Sequence, residues 1–153
     1  MKASHEIKGA LLKACQQWVQ EKITTAKTAM DEAQAAANSE EKSSAGDKYE
    51  TARAMAQNER DQAAYQLAEA LALEKIVKQI QVTPHSTTPS LGSLVITDKQ
   101  SFFLSISAGK LEVNGQAFMA ISLSSPIGKL LLQTEKGKSF TFNKQTFTVV
   151  DVK

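Results

Sequence analysis

The carboxylates of one short stretch are the residues with the clearest chemical potential. Between positions 31 and 50 the chain carries six acidic residues against two lysines, a net charge of −4. The acids are Asp31, Glu32, Glu40, Glu41, Asp47 and Glu50. Carboxylate oxygens suit Mg²⁺, which commonly takes one or two of them and completes its shell with water and phosphate. The stretch could therefore supply metal ligands, although a run of charges on a helix is more often only a solvated face.

Helix formation offers a second explanation for the same acids. The segment 38–46 contains Asn, Ser and Gly, which favour turns and caps over helix interiors. Ser43 or Ser44 could cap a helix that follows, with Asp47 and Glu50 in its first turns, where the helix dipole favours negative charge. The residues alone leave both explanations open.

Other sites of catalysis are poorly represented. Cys15 is the single cysteine, which excludes an intrachain disulfide, and its apolar neighbours predict a buried small residue rather than a nucleophile. His5 and His85 give it no obvious partner in the sequence. The chain has no Cys and His cluster with metal-ligand spacing, no phosphate-binding loop and no nucleophile elbow. We therefore expect a protein that is not an enzyme by itself and binds no cofactor alone.

Two long stretches show the periodicity of helices packed along their length. The first runs from about Ser4 to Ala37 without proline, and from Val19 onward its apolar or small residues recur in steps of four and three. The second runs from about Asp47 to Gln81 and has apolar residues seven apart. These positions, which we call the seam, are Leu12, Val19, Ile23, Ala26, Met30, Ala33 and Ala37 in the first stretch and Ala56, Ala63, Ala70 and Val77 in the second.

The most apolar ends of the two stretches predict how they pair. The first is richest in large apolar residues near its start and the second near its finish. An antiparallel hairpin brings these ends together and puts the polar segment 38–46 at the opposite end. We predict an antiparallel coiled-coil hairpin over residues 1–82, with an acidic tip near 38–50. A hairpin that pairs with itself predicts a monomer.

Beyond residue 82 the sequence changes character. Residues 83–92 are rich in Pro, Ser and Thr and predict a linker, and residues 93–153 predict a small β-rich domain. Its predicted strands are 93–97, 101–107, 116–123, 139–143 and 146–152, with a hairpin turn at Asn114-Gly115. Ser125 and Pro126 suit the cap and first position of a short helix that reaches about Leu132. The expected fold class is α+β, with most of the aromatic residues in the core.

Composition narrows the class of protein. The chain has 153 residues, a net charge of +2 and no clustered basic face of the kind that free binding to a nucleic-acid duplex requires. It has no apolar run long enough to span a bilayer, and its first residues lack the pattern of a signal peptide. We expect a cytoplasmic protein that does not bind membranes.

Two motifs resemble those of the Gre family of bacterial transcript-cleavage factors. The segment from Gly46 to Ala52 (GDKYETA) resembles the family's tip motif, G-D-x-x-E-N-A, which lies between two long antiparallel helices. Near the other end, Ser125-Pro126-Ile127, followed by leucines at 130–132, is similar to a segment of the family's C-terminal domain. The predicted final hairpin also agrees in position with the family's. The resemblance covers most of the chain.

The resemblance implies a specific partner. It implies a hairpin that enters the secondary channel of bacterial RNA polymerase, and an FKBP-like C-terminal domain that holds the polymerase at the channel rim. Asp47 and Glu50 match the two tip acids that help to position a Mg²⁺ and water in the polymerase active site, where the polymerase itself cuts backtracked RNA. The resemblance also implies that the region of Ser125, Pro126 and Ile127 binds the polymerase. It implies that the chain contacts nucleic acid only within the elongation complex.

The chain departs from the family pattern near the tip. Thr51 replaces the Asn after the second acid, and Ala54 and Met55 stand where an aromatic residue usually follows. A regulator that occupies the channel without stimulating cleavage therefore remains an alternative. Two further alternatives are an FKBP-like prolyl isomerase with a helical arm and a structural or chaperone-like coiled-coil protein.

Overall fold

A computed structural model describes residues 2–40, 46–82 and 87–153, with the side chains of 5–39, 50–82 and 87–153. The fold is α+β: two long helices are followed by a six-stranded mixed sheet and one short helix, which confirms the predicted fold class. The helices are α1 (Lys2–Glu40), α2 (Gly46–Gln79) and α3 (Pro126–Leu132). The strands are β1 (Leu94–Thr97), β2 (Ser101–Ser105), β3 (Gly109–Val113), β4 (Gln116–Ser122), β5 (Ser139–Phe142) and β6 (Gln145–Val152).

The chain divides into two compact units, and the long helices contribute to both. One unit is Val19–Glu74, and the other combines Met1–Trp18 with Lys75–Lys153. This division follows packing, and it does not test the predicted domain limits at 82, 83–92 and 93–153. Of the predicted linker, residues 83–86 lie outside the described part of the chain. Residues 87–92 lead into β1 through a turn closed by the Ser93 N–H, which donates to the Ser90 carbonyl at 2.9 Å, and the Gly92 N–H donates to the Leu104 carbonyl of β2 at 2.7 Å.

The unit Val19–Glu74 consists of two helix segments that bury each other along the seam. Within this unit the side chains of 19–39 and 50–74 are described, and each helix segment buries one face. The buried seam residues are Val19, Ile23, Ala26, Ala33, Ala37, Ala56, Ala63 and Ala70. Five residues can link helices packed over this length only when the helices run antiparallel. The predicted hairpin is therefore confirmed.

Two details of the helices differ from the prediction. α1 continues through Asn38 to Glu40, where the sequence predicted the start of a turn. The Gln34 Nε2 donates to the Asn38 Oδ1 at 3.1 Å, a contact one helical turn apart that favours the extension. On the buried face near the start of α1, Leu11 and Cys15 are fully buried, whereas the predicted seam residue Leu12 is only half-buried.

The other unit is built on the sheet, whose strand order is β3-β4-β2-β1-β6-β5. β2 and β4 are parallel, and all other neighbours are antiparallel. Alternate residues of β2 point to opposite faces. Phe102 and Leu104 join a core cluster with α3, in which Leu131 is fully buried. Phe103 and Ser105 lie on the other face, where the Cys15 Sγ is 3.6 Å from the Ser105 Oγ. The sheet is thus covered on both faces at its centre.

The aromatic residues of the sheet are buried or half-buried on its two faces, as predicted. Phe102, Phe103, Phe118 and Phe147 are buried. Phe140 stacks on Phe147 with ring centroids 5.2 Å apart, and Phe142 packs against the same cluster. Their burial leaves none of these rings as an open platform for stacking nucleic-acid bases.

Two tight turns shape the sheet edges. Asn114 and Gly115 both have positive φ, of 53° and 80°, and join β3 to β4, which confirms the predicted hairpin turn. Asn143 and Lys144 form a turn of the same kind between β5 and β6, with φ of 50° and 64°. β3 was not among the predicted strands. It is an edge strand with a single neighbour, and only Leu111 and Val113 give it an apolar alternation.

Candidate functional site

The predicted acidic residues lie at the start of α2. This helix begins at Gly46, so Asp47 and Glu50 fall in its first turns, next to the connection 41–45 that joins the hairpin. The side chain of Glu50 is exposed. The side chain of Asp47 and the predicted caps Ser43 and Ser44 lie outside the described residues. The backbone therefore puts the two acid positions where the helix dipole favours negative charge, and it brings Glu50 to the surface.

The acids were also predicted to hold Mg²⁺ together with the polymerase. Among the side chains that the structure describes, no group of three or more His, Cys, Asp or Glu is arranged to hold a metal ion. Glu50 offers an exposed carboxylate with hard oxygen atoms, which is one ligand of a Mg²⁺ shell. These residues do not test the predicted Mg²⁺ shared with the polymerase, which stays a prediction.

The Ser125-Pro126-Ile127 segment forms the start of α3. Ser125 is the N-cap: its Oγ accepts from the Gly128 N–H at 3.1 Å and donates to the Ser122 carbonyl at 2.7 Å. Pro126 is exposed in the first turn, and Ile127 packs against the core cluster. The capping prediction is confirmed. The predicted partner-binding role of this segment is not tested by these contacts and stays a prediction.

The close approach of α3 to the end of β4 explains why a glycine occupies position 128. A Cβ at position 128 would lie 2.0 Å from the Ser122 carbonyl oxygen and 2.9 Å from the Ser125 Oγ. Only glycine lets the helix lie this close to the end of β4. Gly128 therefore belongs to the same local arrangement as the Ser125 cap.

Cys15 is buried against the sheet, as expected for a structural residue. Its side chain has no exposed surface, and its nearest polar partner is the Ser105 hydroxyl. Burial raises the pKa of the Cys15 thiol, and the hydrogen bond from Ser105 opposes that shift only in part. A thiol with a raised pKa and no access to solvent is a poor nucleophile.

No protein-family model and no curated protein matches the chain. The solved structure of the transcription factor Gfh1 is 21% identical in sequence, with a TM-score of 0.34, over 99% of this chain and 94% of that chain.

The burial of Lys8 was not predicted from the sequence. Lys8 in α1 is 3% exposed, and burial lowers the pKa of its ammonium group to about 8. The signal was present in the sequence, because Lys8 precedes Leu11 by three residues and Cys15 by seven, which puts all three on one helix face. Charged residues are seldom this buried, so Lys8 is an exception among the residues on the buried face of α1.

An open cavity of about 680 Å³ lies at the end of the sheet where β2 and β4 begin. Three lysines line it, Lys99, Lys110 and Lys153; the Lys110 Nζ is 3.6 Å from the Glu112 carboxylate, and Lys99 donates to the Thr146 carbonyl. Its one aromatic lining residue is Phe118. With a single aromatic lining residue, the cavity lacks the aromatic lining expected of a prolyl isomerase.

None of the helices in the described part of the chain is long and apolar enough to cross a membrane.

Proposed function

We propose that this chain is an elongation factor of the Gre type, which binds bacterial RNA polymerase through its secondary channel and stimulates the polymerase's own cleavage of backtracked RNA. One observation carries the proposal. The Gly46-Asp47-x-x-Glu50 motif begins the second helix of an antiparallel hairpin, beside the five-residue connection. In the Gre family, which the sequence resembles, the tip motif lies between two long antiparallel helices, and here too it lies at the end of the hairpin.

The dimensions of the hairpin suit entry into a channel. An α-helix with its side chains is about 10–12 Å across, so two packed helices present a section of roughly 20 Å at the widest. The buried seam residues are all alanine from Ala26 onward in α1 and from Ala56 to Ala70 in α2. These small side chains let the two helices lie close together. A narrow, rigid element of this kind can carry side chains at its end into a cavity of another protein.

The two acids would act by position and charge. Asp47 and Glu50 would offer carboxylate oxygens to a Mg²⁺ that the polymerase also holds, and the exposed side chain of Glu50 is consistent with that role. When bound, such an ion activates water for hydrolysis of a phosphodiester. The chain itself forms no covalent intermediate and supplies no nucleophile, so catalysis stays with the polymerase.

The region around Ser125, Pro126 and Ile127 is proposed to contact the polymerase at the channel rim. Pro126 is the exposed member of this segment, and the Ser125 cap fixes the backbone on either side of it. A rigid, exposed corner costs little conformational entropy when it binds a partner. The factor would act as a monomer in the cytoplasm and meet nucleic acid only inside the elongation complex.

The experiment is RNA cleavage in a stalled, backtracked elongation complex built with the polymerase of the same organism. We expect wild type to stimulate cleavage and the Asp47→Asn/Glu50→Gln double variant to lose that stimulation while still binding. Glu59→Gln/Asp61→Asn is the matched control, because both acids are exposed on the same helix beyond the motif. It removes the same charge and should leave stimulation unchanged.

The outcomes separate the proposed function from its alternatives. Binding without stimulation by wild type would contradict the cleavage role and favour a regulator that occupies the channel, as the departures at Thr51, Ala54 and Met55 allow. No binding to the polymerase would refute the proposal altogether. Equal loss in the double variant and the control would assign the effect to net charge and not to the motif.

A further inference from the structure

The outer edge of β5 is open to a further strand. β5 is the last strand of the sheet and pairs with β6 alone among the described strands. Within Ser139–Phe142 there is no charged residue and no proline, which are the residues that commonly protect an edge. The opposite edge differs, because β3 carries an ion pair between Lys110 and Glu112. The two ends of one sheet are therefore unequally protected.

The register shows which backbone groups face the open edge. Ser139 lies opposite Thr148 and Thr141 opposite Thr146, and the hydroxyl groups of these pairs are 3.0 Å and 3.2 Å apart. Such close side chains are typical of the pairs that do not exchange backbone hydrogen bonds. The N–H of Thr148 donates to Asp98, away from β5, which agrees with this assignment. The N–H and C=O groups of Ser139 and Thr141 therefore point outward.

Charge indicates what kind of strand would bind there. Residues 136–145 contain three lysines, Lys136, Lys138 and Lys144, and no acid. Two of the lysines reach carboxylates outside this segment, at 3.6 Å from Asp151 and 3.0 Å from Glu135, and remain more than half exposed. A second copy of the chain, paired antiparallel, would bring lysines of both copies together, which is unfavourable.

We infer that the β5 edge binds an extended, acid-flanked segment of a partner protein by adding it to the sheet as a seventh strand. The outward groups of Ser139 and Thr141 supply the backbone hydrogen bonds, and the flanking lysines select for carboxylates at the ends of the segment. Half-buried Phe140 and Phe142 offer apolar surface on the core side of the new strand. This site is independent of the acidic tip and of the function proposed for it.

The test uses the full chain and a fluorescein-labelled, amidated octapeptide, Glu-Glu-Thr-Val-Thr-Val-Glu-Glu, followed by fluorescence anisotropy. Thr141→Pro is the decisive variant, because proline removes an outward N–H and leaves the backbone hydrogen bonds between β5 and β6 intact. It also removes the hydroxyl contact with Thr146, for which Thr141→Val is the control. It should weaken binding by about 10-fold or more, as the loss of a hydrogen bond and the steric block together predict. Thr141→Val removes only the hydroxyl and should bind like wild type.

Two further measurements make the inference specific. Amide hydrogen exchange should show new protection of Ser139 and Thr141 when the peptide is bound, and circular dichroism should show that Thr141→Pro remains folded. A peptide with lysine in place of glutamate should bind more weakly than the acidic one. The inference is overturned by absent binding, by binding that survives Thr141→Pro, or by preference for the basic peptide. A dimer of the chain that Thr141→Pro abolishes would assign the edge to a second copy instead.

Discussion

At the scale of single residues, two helical glycines show how strongly the surroundings determine the effect of one added methyl group. Gly128 lies where a Cβ would approach the Ser122 carbonyl oxygen to 2.0 Å, whereas a Cβ at Gly9 would meet nothing within 4 Å. We expect Gly128→Ala to lower the free energy of unfolding by about 2–3 kcal/mol, because the backbone must shift. Gly9→Ala should raise it by about 0.5–1 kcal/mol, since alanine favours an exposed helix interior.

Urea unfolding of both variants measures this difference directly. The two substitutions are chemically identical, so the opposite signs would come only from the space around each Cβ. Equal effects at positions 128 and 9 would contradict the close approach of α3 to the end of β4.

Lys8 gives a prediction that depends on pH. Its pKa falls from 10.5 to about 8 on folding, so between these values the unfolded chain binds more protons than the folded one. The contribution of this group to the free energy of unfolding therefore rises with pH across that window and is constant below pH 8. Lys8→Met should be more stable than wild type by an amount that shrinks by up to about 3 kcal/mol between pH 7 and 10.5.

The measurement is urea unfolding of wild type and variant at several pH values, with Lys13→Met as the control for loss of one positive charge at an exposed position of α1. Taking the difference between chains removes the opposing titrations of Cys15 and Tyr65, whose pKa values are raised. A wild-type-to-variant difference that stays constant with pH would show that Lys8 is solvated.

At the scale of elements, the alanine seam determines how closely α1 and α2 approach. Ala63 is 3% exposed within it, and Ala68, five residues further along the same helix, is exposed. Ala63→Leu should lower the free energy of unfolding by about 1–3 kcal/mol, because a larger side chain must push the helices apart. Ala68→Leu has similar helix propensity and should change it by less than about 0.5 kcal/mol. Thermal unfolding compares the two, and equal stability would contradict a close-packed hairpin.

The seam could be predicted from the sequence, because buried positions along a helix repeat with a fixed period and both α1 and α2 show that spacing of apolar or small residues. Strands were predicted where apolar residues alternate, but β3 offers only Leu111 and Val113 between polar residues. The sheet order was not predictable in this way. The parallel pairing of Phe102 with Met119, for example, joins residues from strands separated by β3, and nothing local to either strand specifies it.

At the scale of the whole molecule, the sequence predicted where the candidate site lies, but it could not predict what the site does. Gly46 followed by acids and then by a long apolar period indicates a helix start, and α2 begins there. In the proposed function, the action of Asp47 and Glu50 depends on a second molecule, so the sequence and fold of this chain alone do not specify it. The same limit applies to Pro126, which is exposed at the start of α3 while Ser125 has a clear structural purpose.

The proposed function is tested most directly by asking whether the hairpin end reaches the interior of RNA polymerase. A photo-crosslinking amino acid in place of Met55, which is 59% exposed in α2 five residues beyond Glu50, reports what the hairpin end meets. With core polymerase of the same organism, we predict a crosslink that maps beside the active centre and that excess wild-type chain competes away. No crosslink to the polymerase, or one confined to its outer surface, would contradict a factor that works through the secondary channel.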